Sequence, residues 1–276
     1  MSDIAARGAP STDAVTDDAF LGGRLRLLQP AGSYRAGIDG VLLAATVEAS
    51  GSAQEAAQVL DAGAGVGVVG LCLAQRLADV RITMVERDRQ LVALARKNSE
   101  RNGFAARARV IEADILRPLG EAPQLAAAAE TFDQVLANPP FLAEGRGTAA
   151  GDRVKAGANA MPAGALDGWV RFMAAMARPG GRMSLIHRAD ALPEVLAALA
   201  GRFGGAVVLP LYPREGEPAL RVLVRAVKGS RAPIELRPGL VLHNADNSFR
   251  PRIAAVLRDG AALPLQGGRS NAGKGT

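Results

Sequence analysis

Val59-Leu60-Asp61-Ala62-Gly63-Ala64-Gly65-Val66-Gly67 is the stretch on which the fold turns. An apolar run enters it, and a helical pattern, Val68 to Leu77, leaves it. Strand, glycine-rich turn and helix make the first unit of a nucleotide-binding βαβ arrangement, where glycines let the backbone turn sharply and approach a ligand. A GxGxG by itself is a weak signal, and two details sharpen it. Asp61 sits just before the first glycine; it would repel a pyrophosphate and suits a cationic amino-acid moiety. Ile82-Thr83-Met84-Val85 reads as the next strand and ends in Glu86, 25 positions after Asp61. An acid there is placed to bind both hydroxyls of a ribose. A dinucleotide site would need its third glycine in GxGxxG spacing, which Gly63, Gly65 and Gly67 do not give, although Gly70 falls five after Gly65.

Downstream, Arg87 to Asn102 reads as a helix with Leu91, Val92, Leu94 and Ala95 facing inward. Arg109-Val110-Ile111 is a third strand. Beyond it, Asp114 can accept from an adenine amine with Ile115 against the ring, or simply cap a short turn. Phe132 to Ala137 is a fourth strand, and Asn138-Pro139-Pro140-Phe141 ends it. The prolines stop the ladder, and the residue before a proline is pushed to extended geometry. The product is a stiff hook with an amide beside an aromatic face, suited to a flat group carrying an NH2. Read alone, the same four residues are an Asn-Pro turn capping a strand. The segment from Leu142 to Gly168 is long, glycine-rich and charged, and reads as a substrate-facing loop. Then follow a helix from Leu166 to Ala177 with the single tryptophan, Trp169, a stop at Arg178-Pro179-Gly180-Gly181 and a fifth strand, Arg182 to Ile186. A helix from Leu192 to Phe203 leads to a final antiparallel pair, Ala206 to Leu211 and Arg221 to Ala226.

Upstream, Leu25-Arg26-Leu27 suggests a short strand. Gly32 to Gly40 makes a turn with Asp39 as helix N-cap, and Tyr34-Arg35 is either an exposed loop or a cover over the site.

Composition narrows the classes. One cysteine, Cys72, rules out a disulfide framework or a cysteine-based metal site, and two distant histidines, His187 and His243, argue against a histidine-ligated metal. No apolar run is long enough for a bilayer span, and residues 1–18 lack the basic start and apolar core of a signal peptide, so a cytoplasmic location is expected. Net charge is +6, and residues 221–276 carry ten Lys/Arg against three Asp/Glu, a distribution that suits a polyanionic partner or a solvated basic face. The expected organisation is a disordered tail over 1–19, one α/β domain over 20–230, a basic C-terminal extension over 231–265 and a second disordered tail over 266–276.

Asp61 with Gly63 and Gly65, Glu86, Asp114 and Asn138 all fall at the carboxyl ends of successive strands of an open, mostly parallel α/β sheet, where such sheets bind ligands. This set resembles the class I S-adenosylmethionine-dependent methyltransferases, and Asn138-Pro139-Pro140-Phe141 is similar to the NPPF/NPPY signature of the branch that methylates amino groups. The resemblance covers roughly Arg24 to Lys228. It implies a Rossmann-like fold with a seven-stranded, mostly parallel sheet and a final antiparallel pair. It also implies S-adenosylmethionine held by Asp61, Gly63, Ala64, Gly65, Gly67, Glu86, Arg87, Asp114, Ile115 and Asn138, and catalysis at Asn138, Pro139, Pro140 and Phe141. Arg35-Ala36-Gly37-Ile38-Asp39-Gly40 resembles the segment before the cofactor domain in the bacterial tRNA-Val adenine-N6 methyltransferases. This implies that Tyr34, Arg35 and Asp39 cover cofactor or base and that the acceptor is an RNA, tRNA near the anticodon. Around Ala158-Asn159-Ala160 no acid or histidine appears where that family has one. Two other readings stay open at this point: methylation of a protein glutamine, and a non-catalytic RNA-binding protein on the same fold.

Overall fold

The structure, a computed structural model, describes residues 15–31, 37–48, 56–140, 142–143, 160–161, 164–263 and 265. The chain opens with β1 (Val15–Phe20) and β2 (Leu25–Pro30), an antiparallel hairpin, followed by α1 (Ile38–Ala45). The α/β alternation then runs β3 (Ala57–Ala62), α2 (Val68–Arg76), β4 (Val80–Glu86), α3 (Arg89–Arg101), β5 (Ala108–Glu112), a single turn α4 (Pro123–Ala126) and β6 (Phe132–Ala137). Two-residue strands β7 (Leu142–Ala143) and β8 (Ala160–Met161) pair with each other. Next come α5 (Ala165–Met176), β9 (Ala177–Arg188), α6 (Leu192–Leu199), β10 (Phe203–Tyr212), β11 (Arg221–Lys228), the short β12 (Glu235–Leu236) and β13 (Leu240–Val241), and α7 (Pro251–Asp259).

The main sheet has the order β12-β10-β11-β9-β6-β3-β4-β5, with β13 also on β10. Its seven long strands match the expected architecture: β5, β4, β3, β6 and β9 run parallel, and β11 lies antiparallel between β9 and β10. The strands are apolar on both faces, as a sheet covered on both sides requires. Leu136, Ile82 and Met84 pack under α1 and α2 on one face, while Leu60, Val85, Val135 and Leu185 pack under α5 and α6 on the other. Among the described residues, no helix is long and apolar enough to cross a membrane.

Several expectations need correction. Residues 15–19, assigned to a disordered tail, belong with Phe20 to β1: its backbone pairs with β2, and Asp17 is held by Arg101 (2.9 Å) and Arg26 (3.3 Å). The segment after residue 230 is joined to the main fold, because β12 and β13 extend the sheet along β10 and Ile253 and Val256 of α7 are buried in the core. These two short strands bring the sheet to nine. The stop at Arg178-Pro179-Gly180-Gly181 lies inside β9, where the ladder with β6 shifts register between Phe132 and Gln134. α1 starts at Ile38 with Gly37 as its N-cap, so Asp39 does not cap it.

The chain enters the sheet in its middle. β4 and β5 are added on one side of β3, then the chain returns to place β6 on the other. The order reverses between β3 and β6, and a crevice opens there above the carboxyl ends.

Candidate active site

Register sets the level of the site. Ala62 of β3 pairs with Val85 of β4 and with Ala137 of β6. Gly63, Glu86 and Asn138 are therefore the next residues on three adjacent strands, each about 4.8 Å from its neighbour strand. Asp114 lies two residues beyond Glu112, which pairs with Glu86. The four strand ends singled out from the sequence do meet on one edge.

The glycine turn is tight. The Ala64 N–H donates to the Val85 carbonyl and the Gly67 N–H to the Ala64 carbonyl, both at 2.9 Å. Gly63 has φ +66°, and a Cβ there would lie 2.2 Å from Cη2 of Trp169. Gly67 has φ +92° and hands the chain to α2. A Cβ on Gly65 would meet nothing within 4 Å, so the open side of the turn is at that residue.

Around the turn, the carboxylates are held by backbone amides. Glu86, 9% exposed, accepts from Gly65 N–H (2.9 Å) with one oxygen and from Arg87 and Asp88 N–H (2.8 and 2.9 Å) with the other. Asp114 accepts from Leu116 N–H (2.9 Å) and faces Arg87 at 3.7 Å. Both line a cavity of about 530 Å³ with Asp88, Glu112, Ala113 and Arg117. Ile115 is buried beside them.

Asp61 does something the sequence did not foretell. It is 1% exposed, and its carboxylate accepts from the Gly70 N–H (3.0 Å), one of the donors that a helix start leaves without an intrahelical partner. Burial pushes its carboxyl up to about 7; the Gly70 N–H pulls the other way, and the Glu86 charge adds to the rise.

Across the crevice, β6 delivers Asn138. Its Oδ1 is buried and accepts no hydrogen bond among the described residues. Pro139 behind it is buried and Pro140 half-buried. A buried acceptor without a donor costs of order 1–3 kcal/mol, and an incoming N–H or O–H could satisfy it. Phe141, Tyr34 and Arg35 lie outside the described residues.

Comparison with known proteins fits this geometry. A model of the methyltransferase small domain matches residues 38–164. The tRNA1(Val) (adenine(37)-N6)-methyltransferase of Aeromonas hydrophila is 31% identical over 225 residues, 80% of this chain and 87% of its own. This chain belongs to that methyltransferase family. Among solved structures, a predicted O-methyltransferase of Agrobacterium tumefaciens superposes with a TM-score of 0.67 at 31% identity, covering 82% of this chain and 98% of its own. A release factor glutamine methyltransferase of Geobacter sulfurreducens is 36% identical over 95 residues, only 34% of this chain and 30% of its own.

The methyltransferase uses S-adenosylmethionine, and its residues fit that cofactor. Gly65 leaves the turn open, Glu86 stands at its rim, and the acids Asp61, Glu86 and Asp114 suit a molecule that is cationic at its methionine end and hydroxyl-rich at its ribose. Three further residues of this methyltransferase brace the turn, and none of them was read as a site residue from the sequence. Trp169 of α5 walls the turn at Gly63. Gly70 supplies the amide for Asp61. Asn98 of α3, wholly buried, donates to the Val66 carbonyl inside the turn (3.1 Å). Asp39, expected to cover cofactor or base, accepts instead from Arg221 Nε (3.0 Å) and pins the start of α1 to β11. Arg221 pairs in register with Arg188, which in turn is bound to Asp190. Next to Arg188 on β9 and opposite Val222, His187 is 4% exposed, and burial followed by the Arg188 charge drives its pKa down to about 4, so the ring is neutral at physiological pH.

Proposed function

We propose that this methyltransferase modifies the N6 amino group of an adenine in RNA, most directly a tRNA adenine near the anticodon, and that it works in the cytoplasm. The observation that carries the reading is the buried, donorless Oδ1 of Asn138 at the head of Asn138-Pro139-Pro140-Phe141. An exocyclic NH2 offers two N–H groups. One donates to Oδ1, the second to a backbone carbonyl of the proline hook, and the nitrogen lone pair is left to point into the crevice. An alcohol has a single O–H and leaves the second acceptor unserved. Bound S-adenosylmethionine supplies an already activated methyl group. The chain's work is therefore positioning and electrostatics: the Gly63–Gly67 turn and Asp61 take the methionine end, Glu86 the ribose, Asp114 and Ile115 the adenine of the cofactor, and Asn138 the acceptor amine.

A nucleic-acid acceptor is favoured by charge. Arg225 of β11 is half-buried in the company of Arg182 and Arg237, and burial and then the Arg182 charge hold its pKa below the usual guanidinium range. Glu48 and Glu235 stand near the same group, and Arg237 is paired with Glu235 (3.0 Å), so what suits a phosphate backbone is the excess of ten Lys/Arg over three Asp/Glu across residues 221–276. The relative from Aeromonas hydrophila is named for a tRNA substrate. A glutamine carboxamide is also a flat NH2 group, and a glutamine methyltransferase shares about a third of this chain.

The test is methyl transfer from labelled S-adenosylmethionine to total RNA and to total protein from cells lacking the enzyme. RNase-sensitive label recovered as N6-methyladenine is the expected result. Label in protein glutamine replaces the RNA reading with the glutamine one, and label in neither, with cofactor bound, rules out both bulk acceptors.

A further inference from the structure

Asn98 and Asn102 stand one turn apart on α3 and face β2. The Leu28 N–H donates to Asn98 Oδ1 (2.8 Å), and Asn98 Nδ2 donates back to the Leu28 carbonyl (3.0 Å). Asn102 repeats the pattern on Arg26, accepting from its N–H (3.1 Å) and donating to its carbonyl (2.8 Å). Four helical residues rise about 6 Å and two strand residues about 6.6 Å, so amides at i and i+4 match alternate residues of an extended chain. The helix thereby acts as a third strand along the edge of β2 that β1 leaves uncovered.

The two rungs differ in one respect. Asn98 Nδ2 makes a second bond, to the carbonyl of Val66, while Asn102 Nδ2 makes its second bond to Asn98's own carbonyl (2.7 Å) within α3. Val66 lies between Gly65 and Gly67, and Gly65 presents the open side of the cofactor turn. Fixing the Val66 carbonyl fixes the plane of the Val66–Gly67 peptide, whose N–H must in turn reach the Ala64 carbonyl (2.9 Å). Asn98 holds both bonds with one amide in a site that solvent does not reach.

We propose that Asn98 is a positioning residue for cofactor binding: it couples the docking of the N-terminal hairpin to the shape of the glycine turn, so the hairpin is part of the cofactor site without touching the cofactor. By linkage, whatever the hairpin adds to cofactor affinity, the cofactor adds to hairpin docking.

The experiment compares Asn98→Ala with Asn102→Ala. Each loses one rung of the ladder, and only the first loses the Val66 bond. The expected result is a roughly tenfold rise in the dissociation constant for S-adenosylmethionine in Asn98→Ala, with kcat at saturating cofactor within about twofold of wild type, and no change beyond twofold in Asn102→Ala. An unchanged constant in Asn98→Ala, or an equal rise in both variants, overturns the proposal, because loss of the ladder alone would then explain the result. Amide exchange on the unaltered protein gives an answer even where Asn98→Ala does not fold. S-adenosylhomocysteine should slow exchange of the Leu28 amide, bonded to Asn98, more than that of the Arg26 amide, bonded to Asn102. Equal effects on both amides overturn it as well.

Discussion

The β3, β4 and β5 side of the crevice, proposed for the cofactor, and the β6 side, proposed for the acceptor, treat their polar groups in opposite ways. On the cofactor side, Glu86 already accepts three backbone N–H groups, Asp61 accepts from Gly70, Asp114 from Leu116, and Asn98 makes three bonds. On the other side, Asn138 Oδ1 is buried with no donor among the described residues. A satisfied group exchanges partners when a ligand arrives, so its contribution is shape and pre-orientation. An unsatisfied group gains a whole bond from the ligand. On the proposed reading, the open polar atom is the one that would meet the acceptor, and the satisfied ones would form a rigid seat for the cofactor.

The largest effect that can break this comparison is at Asn138. Asn138→Ala should lower turnover by roughly 10²–10³-fold, as removal of one pre-aimed polar partner does, and leave the cofactor dissociation constant within about threefold. Calorimetry with S-adenosylmethionine beside single-turnover methylation separates the two. A variant that turns over normally would make the donorless oxygen incidental and dissolve the contrast.

Gly63→Ala strikes the other side. A Cβ 2.2 Å from Cη2 of Trp169, on a residue with φ +66°, must displace either the ring or the turn. A loss of about 2–3 kcal/mol in stability is expected, together with loss of cofactor binding. Trp169→Leu in the same chain should recover part of the stability, because space is restored and the backbone strain stays. Denaturant titration of the single and double variants measures both. Failure of the second change to help would show that Trp169 does not set the turn.

The smallest effect concerns pH and sharpens the electrostatics. Asp61 titrates near 7 in the fold against 3.8 for the free side chain, so its neutral form is favoured by folding. The stability it contributes is complete below about pH 4 and is lost as pH rises towards about 7. A cationic ligand favours the ionised form, so S-adenosylmethionine affinity should rise severalfold from about pH 6 to about pH 8. S-adenosylhomocysteine, lacking the sulfonium charge, should show a smaller rise, and Asp61→Asn almost none. Dissociation constants across this range check it, and an identical pH profile in Asp61→Asn would remove Asp61 from the electrostatics of binding.

Local chemistry made much of this molecule legible from the chain. The glycine turn, the acid at the end of the second strand, Asp114 and the proline-stiffened Asn138 announce themselves because each needs a residue type that few other situations require. Positive φ is available mainly to glycine. Two prolines end a ladder wherever they stand. Apolar strands separated by amphipathic helices leave little choice but a parallel sheet covered on both faces. The chain alone therefore fixes the alternation of strands and helices in the central α/β unit and the four strand ends that meet on one edge of its sheet.

Tertiary structure alone decided the partners. Asp39 reads as a helix cap until Arg221, 182 residues away, takes its carboxylate. Asp61 reads only as a candidate ligand residue until the fold buries it, gives it the Gly70 amide and moves its titration. The segment 15–19 reads as a tail until β2 gives it a ladder. Asn98 and Trp169 look like ordinary helix residues until α3 and α5 are laid against the glycine turn. In each case the deciding quantity is a contact between residues far apart in the chain, made when the strands order at 4.8 Å spacing and the helices close over them, and no local pattern encodes which distant group will be there.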